Sequence, residues 1–109
     1  MLLGHELTVY CDRPKRMLED LMQEAVDRYL SSRPRVSVIE KNNRSIMLKI
    51  PINLKSWGEK LRISVKAKSF HVQSESATFI QAFDWGKNYD NVRAMCNCVE
   101  NVISRYNER

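Results

Sequence analysis

The stretch from Ile80 to Asn91 reads IQAFDWGKNYDN, and it connects an extended segment at about Thr78 to Phe83 with the C-terminal part of the chain. Gly86 favours a turn, because glycine adopts left-handed backbone angles without steric cost. Asn88 or Asp90 can cap a following helix. Apolar residues at helical spacing then continue to the end of the chain, at Val92, Met95, Cys96, Val99, Val102, Ile103 and Tyr106. The stretch therefore predicts a strand, a turn at Gly86 and an amphipathic final helix.

A strand and a helix are predicted upstream, near the N-terminus. Residues His5 to Cys11 alternate between apolar and polar side chains, as a half-buried strand does. Asp12 stands where a helix N-cap belongs, Pro14 falls in the first turn, and Lys15 to Leu30 carry one continuous apolar stripe. Pro34 ends this helix, because the residue before a proline is disfavoured in the α region.

Between the two helices, four segments alternate with the period of a β-strand. They are Arg35 to Lys41, Ser45 to Ile52, Leu61 to Lys68 and Phe70 to Ser76. A turn at Asn42 and Asn43 makes the first two a hairpin, and Pro51 marks a sheet edge or the end of its strand. Residues Asn53 to Lys60 are predicted to form a loop, and Ala67 is predicted to point inward with the apolar side chains of its strand.

The order of elements is strand, helix, four or five strands, helix. This order predicts a single α+β domain over residues 1–109, with both helices on one face of a curved antiparallel sheet. In the order of its elements the chain resembles the helix-grip and TATA-box-binding-protein-like arrangements, in which a long helix packs on a curved sheet. The resemblance implies a fold and no activity.

The composition is that of a small, ordered, basic protein. The 109 residues carry a net charge of +5, with 43% hydrophobic residues, three Gly and three Pro, which leaves little room for disordered linkers. No apolar run reaches the ~18 residues that span a bilayer. The N-terminus lacks a basic start and a long apolar stretch, so we expect a cytoplasmic protein. The odd number of cysteines, three, favours free thiols.

The charge is concentrated in the middle of the chain. Between Arg33 and Lys68 there are ten basic and two acidic residues, a net charge of +8. If Lys49, Arg62, Lys66 and Lys68 share the solvent face of adjacent strands, they form a basic face that attracts phosphates. Exposed lysines also protect strand edges from unwanted pairing, and the segment lacks interleaved aromatic residues. Nucleic-acid binding is therefore the less favoured interpretation.

Two aromatic turns are candidates for protein contact. The residues that we call the contact loop combine large aromatic side chains with polar ones, and they are Trp57, Asp84, Trp85, Lys87, Asn88 and Tyr89. Tryptophan and tyrosine supply much of the binding energy at interfaces. The favoured interpretation is structural, with Gly86 in a left-handed turn, Asp84 or Asn88 capping the backbone and Trp85 packed beneath the helix.

No motif predicts catalysis or a cofactor. Cys96 and Cys98 are two residues apart, and on a helix such residues point ~200° apart, so they do not chelate one metal ion. His5 and His71 lack the positioned partner and pocket that acid–base catalysis requires. Nucleophile-elbow, zincin and P-loop patterns do not occur in the sequence. We expect a protein that is not an enzyme and that has no metal or other cofactor.

Three functions remain. The favoured one is a small non-enzymatic domain that acts through contact with a protein partner or by forming a homodimer. The second is a carrier of a small apolar ligand in a cavity between helix and sheet, for which Met17, Met22, Met47 and Met95 could supply part of the lining. The third is binding of nucleic acid or of another acidic surface through the basic strands 33–68.

Overall fold

Two helices and five strands form the described part of the chain. The computed structural model describes the backbone of residues 4–51, 59–76 and 85–107, and the side chains of residues 6–51, 59–75 and 90–107. The elements are β1 (Gly4–Tyr10), α1 (Lys15–Ser31), β2 (Ser37–Lys41), β3 (Ser45–Ile50), β4 (Glu59–Lys66), β5 (Ser69–Ser76) and α2 (Trp85–Asn107). The predicted extended segment at 78–83 and most of the predicted loop at 53–60 lie outside the described residues.

The strands form one antiparallel sheet with the order β1-β5-β4-β3-β2. Hairpins join β2 to β3 and β4 to β5, whereas β1 pairs with β5, which lies far from it in sequence. The helices pack against each other and mainly against β1, β4 and β5. The predicted α+β class, with its helices on one face of an antiparallel sheet, is confirmed.

Strict alternation along the central strands creates the core. Ile63 of β4 pairs with Ile46 on one side and with Val72 on the other, and all three side chains are buried. The helices cover this inner face with their apolar stripes. The buried helical residues are Leu18, Leu21, Met22, Ala25, Val26 and Tyr29 of α1 and Val92, Met95, Cys96, Val99 and Val102 of α2. Burial of this continuous apolar layer is the main force that stabilises the fold.

Helix α1 begins without the predicted Asp12 cap. Pro14 occupies the N-cap position with an extended backbone (ψ 149°), and no side chain caps the helix there. Asp12 instead lies 3.5 Å from the Lys68 ammonium group, in an exposed ion pair. The prediction of an Asp12 cap was wrong, because proline preorganises the start of the helix and permits it to begin at Lys15, three residues after the acidic side chain.

The two hairpins differ in how well the sequence marks their turns. Asn42 Oδ1 accepts hydrogen bonds from the backbone N–H groups of Arg44 and Ser45, both at 2.9 Å, and β3 ends before Pro51. The second hairpin reverses at Ala67 and Lys68. Ala67 is exposed, contrary to the prediction that it points inward, and Lys68 adopts a left-handed conformation with φ of 56°. Strand β4 is therefore shifted towards the N-terminus relative to the predicted strand.

Candidate functional site

The structure does not describe the side chains of the contact loop. Trp57 and Asp84 lie outside the described residues. Trp85, Lys87, Asn88 and Tyr89 belong to the first turns of α2, and only their backbone is described. Their role in binding stays a prediction.

The predicted turn at Gly86 was wrong. Helix α2 begins at Trp85, so Gly86 lies within its first turn, and neither Asn88 nor Asp90 stands at its N-cap. A glycine within a helix costs only about 1 kcal/mol relative to alanine. The long apolar stripe that α2 buries against α1 and the sheet can offset this cost.

Three of the four residues of the basic face share the side of the sheet opposite the helices. Lys49 of β3 is the cross-strand partner of Lys60, which has the same parity on β4 as Arg62 and Lys66. Lys60 therefore joins this surface, although the sequence placed it in a loop. Lys68 lies in the β4–β5 turn beside Asp12 and does not extend the strand surface.

Acidic side chains interrupt the same outer face. Glu75 lies directly opposite Lys60, and Glu6 is the cross-strand partner of Gln73, which in turn pairs with Arg62. Glu6 Oε2 also lies 3.1 Å from His71 Nε2. The positive charges thus follow β3 and β4, while negative charges follow β5 and β1. Phosphate binding through the basic face gains no support from this mixed surface.

The direct opposition of Lys49 and Lys60 leads to a stability prediction. Like charges that face each other across antiparallel strands are destabilising, by a fraction of 1 kcal/mol. We expect Lys49→Glu to raise the free energy of unfolding by about 0.5 kcal/mol, or about 2–4 °C in Tm by calorimetry at low salt. The matched control is Lys66→Glu, since Lys66 faces the neutral Ser69. An equal rise in the free energy of unfolding for both variants would contradict the conclusion that repulsion between Lys49 and Lys60 is destabilising.

Edge strand β2 is the candidate site that emerges from the fold. Among the described strands it is the last of the sheet, and all five of its residues are exposed. Two of them are large and apolar, Val38 with 43% and Ile39 with 47% of its surface exposed. The sheet register shifts between Val38 and Glu40, so Ile39 lies at a β-bulge. The backbone groups on the outer side of β2 offer hydrogen bonds to an added strand.

The three cysteines are free, and they lie in different environments. Cys11 and Cys96 are buried, whereas Cys98 is half-buried. Within the described ranges, three or more His, Cys, Asp or Glu side chains are nowhere grouped so that they could hold a metal ion. Burial raises the pKa of the Cys98 thiol, and the nearby Arg33 charge opposes this rise.

Grooves lie at the ends of the helices. One groove of about 420 Å³ is lined by Met17, Leu21 and Tyr106, with charged residues including Arg16 at its rim. Another of about 310 Å³ lies where α1 ends, beside Ile50 and Asn91. Both are open surface grooves rather than enclosed cavities between helix and sheet. The carrier function stays a prediction.

Comparison with known proteins provides a fold neighbour and no function. No protein-family model matches the chain, and no curated protein matches its sequence. Among solved structures, it is similar to a TBP-like protein from Parabacteroides distasonis ATCC 8503, with a TM-score of 0.48 and 14% sequence identity. The match covers 68% of this chain and 54% of the other, so this chain matches about half the length of its neighbour. The likeness concerns the fold alone.

Neither described helix is long and apolar enough to cross a membrane.

Proposed function

We propose that this chain acts through protein contacts and associates with a second copy of itself along the outer edge of β2, the last described strand of the sheet. The observation that carries the proposal is the simultaneous exposure of Val38 and Ile39 on an edge strand. An added strand would satisfy backbone groups on β2 and remove both side chains from water. The proposal assigns no reaction to the chain.

The register of the sheet supports an added strand at this edge. Val38 is the cross-strand partner of Leu48, which is fully buried on the inner face. A strand added beside β2 would extend this apolar layer. At the other end of the described sheet, α2 packs against β1 on the inner face.

A second copy is the favoured occupant because isologous contact between identical edges closes a dimer with one interface. Two-fold dimers are the commonest soluble oligomers.

The experiment is analytical ultracentrifugation from about 1 to 200 µM, a range that covers dimers of moderate affinity. We expect a concentration-dependent shift from 12.8 kDa towards twice that mass. The double variant Val38→Lys/Ile39→Lys should weaken association by about 100-fold, because four half-exposed apolar side chains then stay in water. Backbone amides of β2 should exchange hydrogen more slowly as the dimer forms.

The matched control is Tyr10→Lys, since Tyr10 is an exposed apolar residue (83%) on the other edge strand. It should leave the dimer intact. A monomer at every concentration would contradict the proposal, and the bulge and Lys41 would then be understood as protection of the edge against pairing. Loss of the dimer in Tyr10→Lys alone would place the interface at β1.

A further inference from the structure

The groove at the end of α1 combines an apolar floor with hydrogen-bond donors. Its floor includes Tyr29, Val36 and Ile50, and its polar lining residues include Arg33, Arg35 and Asn91. A volume of about 310 Å³ is at the lower limit of small-molecule sites. None of the described lining residues is acidic. Its composition therefore differs from that of the larger groove, which includes Asp20 and Glu24.

Arg33 is held in place by the helix that precedes it. Its guanidinium carbon lies 4.1 Å from the centroid of the Tyr29 ring. Its Nη1 donates to the Tyr29 carbonyl oxygen at 3.3 Å and to Ser32 Oγ at 2.9 Å. The Nη2 and Nε donors make no hydrogen bond to a described residue, so one edge of the guanidinium stays available for a bidentate acceptor.

Asn91 adds a second donor, from α2. It lies on α2 and lines the groove, and its Nδ2 atom is buried with no hydrogen-bond partner among the described residues. A buried amide that lacks a partner is unfavourable, so a ligand acceptor that met this group after a rotation of the Asn91 side chain would relieve this cost. Glu59, which acts electrostatically on Tyr29, is fully buried and does not line the groove.

We infer that this groove binds a small organic anion, with its charged head group on Arg33 and Asn91 and its apolar body against Tyr29, Val36 and Ile50. No acidic residue lines the groove, although the buried Glu59 acts on Tyr29 from beneath it, and donors exposed in such a lining favour an acceptor that carries negative charge. The exposed Arg35 at the rim attracts the same charge over a longer distance. A carboxylate and a phosphate share this chemistry. No described lining residue of the groove belongs to β2, so each proposal can fail without the other.

The test is titration of isotope-labelled protein with 3-phenylpropanoate and with phenyl phosphate, followed by amide NMR spectra. We expect saturable shifts at the Asn91 side-chain amide and at Val36 and Ile50, with a Kd on the order of 1 mM for ligands of this size. The uncharged 3-phenylpropanamide should bind at least about tenfold more weakly, because it lacks the charged acceptor. The stronger of the two anions identifies the preferred head group.

Variants distinguish this site from general charge attraction. Arg33→Gln should weaken anion binding at least about tenfold, and Arg35→Gln about threefold, since Arg35 is more exposed. Arg35→Gln keeps the inference testable if loss of Arg33 disturbs the end of α1. Arg16→Gln, at the other groove, removes the same charge and should change nothing. Equal binding of the amide, equal weakening by Arg16→Gln, or shifts confined to other regions would overturn the inference.

Discussion

Val99→Asp is expected to leave the domain unfolded at 25 °C. Val99 is 1% exposed and belongs to the core between α2 and the rest of the fold. An aspartate there must either bury a charge or take up a proton and bury an uncharged polar group, and both cost free energy. We expect a loss of about 4 kcal/mol or more, against a typical total stability of about 5–15 kcal/mol. The measurement is circular dichroism with urea denaturation.

The matched control is Asn97→Asp, which adds the same negative charge on an exposed position of the same helix. It should change the free energy of unfolding by less than about 0.5 kcal/mol. Leu21→Asp tests the corresponding position on α1, where the side chain is also buried. A cooperative, native-like transition for Val99→Asp would show that the apolar stripe of α2 does not form the core.

The second large effect is expected at alkaline pH, and it depends on Cys96. Burial raises the pKa of this thiol from 9.0 to about 11, the charge of Glu100 adds to the rise, and Arg93 opposes it. The folded chain therefore holds the thiol proton more tightly than the unfolded chain does. The contribution of the Cys96 thiol to the free energy of unfolding is fully present below pH 9. It is lost as the pH rises towards 11, by roughly 2–3 kcal/mol in total.

Urea denaturation at several pH values from 8 to 11 measures this loss. Cys96→Ala should remove most of the decrease in the free energy of unfolding between pH 8 and pH 11. Cys98→Ala is the control, since Cys98 is only half-buried and its removal should leave most of the slope in place. A second measurement is thiol labelling at pH 8, in which Cys96 should react only after unfolding. An unchanged slope in Cys96→Ala would show that other groups cause the alkaline loss.

Local periodicity explains why the secondary structure could be predicted. The alternation around Ile63 and the helical spacing around Leu21 and Val99 follow from backbone geometry, which relates each residue to neighbours two to four positions away. The Asn42 turn and the end of β3 before Pro51 are likewise local. The incorrect details lie at the ends of elements. At the helix starts, the Asp12 cap and the Gly86 turn were outweighed by proline geometry and by helix packing. At the ends of β4, Lys60 belongs to the strand and Ala67 to the turn.

The candidate sites could not be predicted from short-range sequence patterns. The sequence shows Val38 and Ile39 in an apolar, alternating segment, but it does not show that this segment lies at the sheet edge. Arg33 and Tyr29 have helical i, i+4 spacing, yet the groove between them also needs Asn91 from the other helix. The opposition of Lys49 and Lys60 depends on the register between β3 and β4, and residues 52–58 of their connection lie outside the described part.

By itself, the sequence determined the α+β class, the two amphipathic helices and the side chains that face inward from β3, β4 and β5. These features follow from the short-range periodicity of helices and strands. Only the tertiary structure decided the sheet order, the exposure of β2, the mixture of charges on the outer face and the groove at the end of α1. These depend on which distant segments pair and on which side chains remain in contact with water, and short-range patterns do not encode either.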